Sequence, residues 1–222
     1  MSDALSDLFP NIPDEDLRQL EFYTSGHLNE RWGLGDRPVV LVIDMTTSFI
    51  TNALSPAYVP NGRECADAIS ELLEASRRAG LPTIYTRGAP FLHEAEAGAW
   101  LRGRGMSVLE KGNLPGDHLI VSELTPKGDD FVVTKAKPSG FFGTQLASIL
   151  NYIKADSLIV TGVTTSGCVR ATVNDGFNLN YPMVIPVECV ADRSRISHEV
   201  ELFDMAVKYA DVVRLKELMS LL

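Results

Sequence analysis

Histidine and cysteine, the residues most often asked to do chemistry near neutral pH, are scarce in this 222-residue chain: it has four of the first and three of the second. The cysteines stand at 65, 168 and 189 with no C-x-x-C pair. That spacing excludes a disulfide framework and points to a reducing, cytoplasmic setting. No apolar run approaches the roughly 18 residues needed to cross a bilayer. The acidic start "MSDALSDLFPNIPDEDLRQL" lacks the basic stretch and apolar core of a secretory signal. Basic residues are outnumbered, and the net charge of −9 argues against a phosphate-backbone partner, so neither nucleic acid nor membrane is expected. Repeats, low-complexity tracts and long linkers are also missing.

What is present is a regular alternation. The runs "PVVLVID" (38–44), "LPTIYTR" (81–87), "DDFVVTK" (129–135), "DSLIVTGV" (156–163), "YPMVIPVECV" (181–190) and "DVVRL" (211–215) read as strands. Between them "GRECADAISELLEASRRAG" (62–80), "GTQLASILNYIKA" (143–155), "SGCVRATVNDGFNLN" (166–180) and "SHEVELFDMAVKYA" (197–210) carry helical spacing. Such an order predicts an α/β fold: a doubly wound, mostly parallel six-stranded sheet with helices on both faces. Residues 1–37 read as a helix (13–23) and an extended arm, with Trp32 and its glycines suited to contact another copy of the chain. Residues 38–222 form the main domain. The stretch 88–128 has the weakest periodicity and reads as an excursion, a lid or a subunit contact.

Ligands of open parallel sheets bind outside the carboxyl ends of the strands. Three chemically distinct residues fall there. Asp44 closes "PVVLVID", Lys135 closes "DDFVVTK", and Cys168 follows "DSLIVTGV" across a glycine- and threonine-rich turn. Each has an ordinary alternative. Cys168 can be a small buried hydrophobe, as Cys65 and Cys189 are expected to be. Asp44 can be a cap, and Lys135 a solvated strand end with Lys137 as its competitor. As chemistry, Cys168 at a helix start would find unpaired N–H groups that favour a thiolate with a lowered proton affinity. Gly167 would let the backbone come close. Asp44, partly desolvated, would serve as the base, and Lys135 would add positive charge beside the sulfur. None of the four histidines ends a strand.

In "VVLVIDM", "VTKAKPSGFFGTQL", "LIVTGVTTSGCVRATVNDGF" and "VIPVECVADRS" the chain resembles the isochorismatase-like cysteine hydrolases, most strongly their N-carbamoylsarcosine amidase branch. The likeness runs from about residue 28 to the end. It implies an Asp–Lys–Cys triad at Asp44, Lys135 and Cys168, with Lys135 rather than Lys137 in the motif position. It implies a cis peptide between Val163 and Thr164, and an oxyanion hole from the backbone N–H groups of Thr164 and Cys168. It places a carboxylate-binding arginine at Arg193. Relatives that act on nicotinamide hold a metal through histidines after the first strand; this chain has no histidine between Asp44 and Tyr85, so no metal or other cofactor is expected. True isochorismatases cleave a vinyl ether without the cysteine. The expectation is therefore a homo-oligomeric cysteine amidohydrolase for a small amide or carbamoyl compound bearing a carboxylate, working through a thioester and releasing ammonia. The alternatives are a ureido substrate such as biuret without a carboxylate, or a non-catalytic or redox-thiol protein on the same fold.

Overall fold

The run Pro38–Ile43 (β1) is buried at every position, as a strand covered on both faces must be. A computed structural model describes residues 6, 8–23, 31–88, 95, 98, 99 and 116–222. Most of the expected excursion at 88–128 lies outside the described residues, as do His27 and His93. The strands Thr83–Gly88 (β2), Phe131–Lys135 (β3), Ser157–Val163 (β4), Met183–Pro186 (β5), Val190–Ala191 (β6) and Asp211–Val213 (β7) join β1 in one sheet of order β3-β2-β1-β4-β5-β7, with β6 also on β4. Every pairing is parallel.

The sheet has seven strands where the sequence suggests six. The run read as one strand at 181–190 is broken. From Ile159 to Gly162 β4 advances three residues, while its partner advances six, from Val184 to Val190. The surplus leaves the ladder as a tight turn at Val187–Cys189, directly after Pro186, which has no N–H to continue it.

Alternation along β1 divides the core. Leu41 and Ile43 belong to a cluster with Leu146, Val173 and Leu202, from helices Leu146–Tyr152, Arg170–Asn178 and Arg195–Lys208. Val40 and Val42 belong to a second cluster with Ile69, Leu73 and Leu218, from Gly62–Arg78 and Leu215–Met219. In chain order, with Asp14–Tyr23 and the short Thr47–Ile50 included, these helices are α1 (14–23), α2 (47–50), α3 (62–78), α4 (146–152), α5 (170–178), α6 (195–208) and α7 (215–219). Helices on both faces satisfy the two-sided burial a parallel sheet requires.

The N-terminal residues share this core. Phe9 and Leu17 are buried in the first cluster, and the Phe9 ring meets Phe203 edge-on. Further along, Gly33 N–H donates to Asp211 at 2.8 Å, and Gly35 N–H to Ser157 Oγ at 2.9 Å. Trp32 packs tilted against Phe177 with half its surface still exposed.

The strand order reverses between β1 and β4, the topological switch point where a doubly wound sheet opens a crevice. Gly162 holds those two strands at close range: its φ is +105°, and a Cβ there would run into the backbone of Ile43.

Candidate active site

Asp44 is the first residue past β1, and its backbone is left-handed, φ +51°. This is a costly conformation for a residue with a side chain, though Asp is among those that tolerate it. Thr86, opposite Ile43 on β2, holds one carboxylate oxygen: its Oγ1 donates to Oδ1 at 2.9 Å. The other oxygen, Oδ2, lies 2.6 Å from Lys135 Nζ, and both side chains are 4% exposed. On β3 the period of two puts Val133 and Lys135 on the buried side. Lys135 Nζ also donates to the carbonyl of Lys137 at 3.1 Å, so Lys137 serves this site through its backbone.

Cys168 sits in a wide π-turn, Thr165–Val169, that leads into α5. Its thiol is close enough to both Asp44 and Lys135 to feel the charge of each. Gly167 precedes it, and a Cβ at that position would lie 2.6 Å from Thr164 Oγ1, so any larger residue would force the Thr164 side chain to move. The Val163–Thr164 peptide is cis. The Thr164 carbonyl accepts from Gly167 N–H at 2.9 Å and from Val169 N–H at 3.2 Å. The N–H between them in sequence, that of Cys168, is not among its donors. Such π-turns recur where a helix backbone is diverted to a functional task.

The thiol's proton affinity runs opposite to the lowering that a helix start favours. Burial first, and then the Asp44 carboxylate, push Cys168 up to about 12, against the downward pull of Lys135. Magnitudes explain the outcome. A helix terminus is worth about 0.3–2 kcal/mol to an adjacent charge, or roughly 0.2–1.5 pK units, whereas full burial moves a group by up to about 3–5 units. Burial and Asp44 thus both favour the protonated thiol beside the ion pair. Burial alone would lower Lys135; the Asp44 carboxylate and Cys168 outweigh it and the ammonium is raised. Burial pushes Cys65 and Cys189 further up than Cys168, which leaves Cys168 the least suppressed of the three thiols.

Arg193 follows β6 on the same edge of the sheet. It is exposed, and its guanidinium lies 3.4 Å from the Pro56 carbonyl in the loop between α2 and α3. Besides Thr86, three further contributors escaped sequence reasoning. Thr172 Oγ1 donates to the Cys168 carbonyl at 2.7 Å and accepts Gly140 N–H at 2.9 Å, tying the Cys168 turn and its helix to the loop after Lys135. Asp192 and His198 grip the π-turn at Ser166 and Thr165. The only available signal was their nearness in sequence to "ADRS", which singles out the arginine. Among the described residues no group of three or more His, Cys, Asp or Glu side chains is arranged to hold a metal ion, and no helix is long and apolar enough to cross a membrane.

Residues 38–217 match the isochorismatase domain family. The chain belongs to that family. It is 31% identical to the maleamate amidohydrolase of Pseudomonas putida over 88% of its own length and 91% of that protein. It is also 31% identical to an N-carbamoylsarcosine amidase of Arthrobacter, over 86% of this chain and 73% of that one. Among solved structures, a cysteine hydrolase from Pseudomonas syringae superimposes with a TM-score of 0.78 at 25% identity, covering 86% of this chain and 94% of the other. The fold and family expected from the motifs are thus those found.

Proposed function

We propose that this chain, an amidohydrolase of the isochorismatase family, cleaves a small linear amide or carbamoyl compound that carries a carboxylate, through a thioester on Cys168, with release of ammonia. The observation that carries this reading is the meeting of Asp44, Lys135 and Cys168, with an ion pair of 2.6 Å beside a buried thiol.

Asp44 takes the thiol proton as sulfur attacks the carbonyl carbon. This avoids a free buried thiolate, whose cost the raised proton affinity expresses. Lys135 keeps the site's charge balanced while the proton moves. The new oxyanion is received by the backbone N–H groups of Thr164 and Cys168; the second is supported by its release from the Thr164 carbonyl. As the tetrahedral species collapses, the carbon–nitrogen bond breaks and Asp44 returns the proton to the departing ammonia. Water then gives its proton to Asp44 and attacks the thioester, the acid or carbamate leaves, and the thiol is re-formed. Arg193 is read as the partner of the substrate carboxylate, since guanidinium can donate two parallel hydrogen bonds to it.

The test is an ammonia-release screen over small amides and ureido compounds, with and without a carboxylate, run in EDTA beside the Cys168→Ala variant. Release from carboxylate-bearing amides, unaffected by EDTA and lost in the variant, is expected. Equal turnover by Cys168→Ala would overturn the cysteine mechanism, and a preference for biuret-like compounds would overturn the carboxylate.

A further inference from the structure

Two side chains that the mechanism above leaves idle grip the turn carrying Cys168. Asp192, buried just past β6, takes the N–H and the O–H of Ser166 on Oδ2, each at 2.7 Å. Its Oδ1 accepts the Arg193 N–H, also at 2.7 Å. His198, in the first turns of α6, places Nδ1 2.7 Å from Oγ1 of Thr165, and Thr165 has no exposed surface. The two gripped residues stand three and two places before the nucleophile. Over this stretch the π-turn replaces the regular helical ladder, so the turn depends on bonds from outside it.

We infer that Asp192 and His198 are positioning residues that close a two-point clamp on Ser166 and Thr165 and thereby hold the Cys168 sulfur in reach of Asp44 and Lys135. The kinetic consequence rests on the amidohydrolase reading; the clamp itself does not. Burial lowers the proton affinity of His198, against the upward push of Asp192 and Glu199. A neutral imidazole with its proton on Nε2 leaves Nδ1 free to accept from Thr165 O–H. Asp192 accepts three hydrogen bonds as a carboxylate, each stronger than its neutral counterpart. A nucleophile displaced by about 1 Å loses on the order of 100-fold in rate, which is what this clamp prevents.

The test compares His198→Leu, His198→Asn and Thr165→Val by amide hydrogen exchange and by kinetics of ammonia release. His198→Leu is expected to speed exchange across Thr165–Val169 by about tenfold or more while β1 and β4 keep their protection. It should also lower kcat by about 10–100-fold with KM held within about twofold. His198→Asn, which keeps an acceptor near the Nδ1 position, should restore both. Thr165→Val should reproduce His198→Leu, and the double variant should be no worse than either alone. Unchanged exchange in the turn, or losses that multiply in the double variant, would overturn the clamp. If the wild type cleaves no amide, the amidohydrolase reading fails and exchange alone decides.

Discussion

Lys135 Nζ lies 2.6 Å from Asp44 Oδ2 in a setting where both side chains are almost wholly enclosed. A pair like this is stabilising only relative to its broken forms. Lys135→Ala leaves a buried carboxylate without its counter-charge, at a cost of about 3–5 kcal/mol. For a chain of this length that is a fall in Tm of about 6–20 °C, at roughly 2–4 °C per kcal/mol. Asp44→Asn combined with Lys135→Met removes both charges and should recover most of the loss. Thermal denaturation of the two single variants and the double variant measures this. Independent, additive losses would mean that the pair is not coupled.

The proton on Cys168 leads to a second expectation, in which labelling and turnover part company. With the thiol near 12, alkylation of Cys168 by iodoacetamide should rise about tenfold per pH unit from pH 7 to 10 without a plateau, because the thiolate is the reactive form. Asp44→Asn removes the carboxylate that pushes the thiol up and leaves Lys135, which pulls it down. Alkylation at a given pH should therefore become faster in Asp44→Asn, while turnover falls by about 100-fold or more with the loss of the general base. Labelling at 65, 168 and 189 is resolved by peptide mass spectrometry. Slower alkylation in Asp44→Asn would show that the carboxylate activates the thiol at rest, contrary to the electrostatics of the buried site.

Much of this site was legible because its members end strands. Asp44, Lys135 and Cys168 each close or follow an apolar run, and parallel order sends all such ends to one edge. The local motifs then chose Lys135 over Lys137. The supporting residues left no comparable mark. Thr86 reads as one more β-former inside "LPTIYTR", and only the Ile43–Thr86 register reveals its hydroxyl against Asp44. Thr172, Asp192 and His198 act through contacts between segments distant in the chain, and no periodicity encodes those. Burial works against the lowered proton affinity that a helix start favours; helix position is visible in sequence, and depth of burial is not. The seventh strand was missed because the three-residue turn at Val187–Cys189 interrupts the apolar run with a single acid, Glu188, too little to mark a break.

Arg193 provides a test of substrate class that is independent of the nucleophile. Its side chain is exposed and makes one hydrogen bond among the described residues, at 3.4 Å to the Pro56 carbonyl, so little folding energy depends on it. Arg193→Ala should leave Tm within about 1–2 °C, as a surface substitution worth less than about 0.5 kcal/mol does. KM for carboxylate-bearing amides should rise by about 10–100-fold, the loss of a charge-assisted hydrogen bond of about 1.5–3 kcal/mol. KM for neutral amides should hold, and Arg193→Lys should recover only part of the loss because it lacks the planar fork. Equal changes for charged and neutral substrates would remove Arg193 from carboxylate recognition.

Acid should weaken the protein in part through His198. Burial outweighs Asp192 and Glu199 and lowers this imidazole below its ordinary value in the folded state. The unfolded chain then binds the proton more readily than the folded one. Stability therefore rises with pH in the window between the folded and unfolded values, and is lost as pH falls from about 6.5, the unfolded value, through the lowered folded one. Protonation also turns Nδ1 from acceptor to donor and makes Thr165 reverse its bond. His198→Asn cannot titrate there and should lose less Tm than wild type between pH 7 and pH 5. Parallel declines in the two proteins would mean that His198 carries its charge in the folded state without penalty.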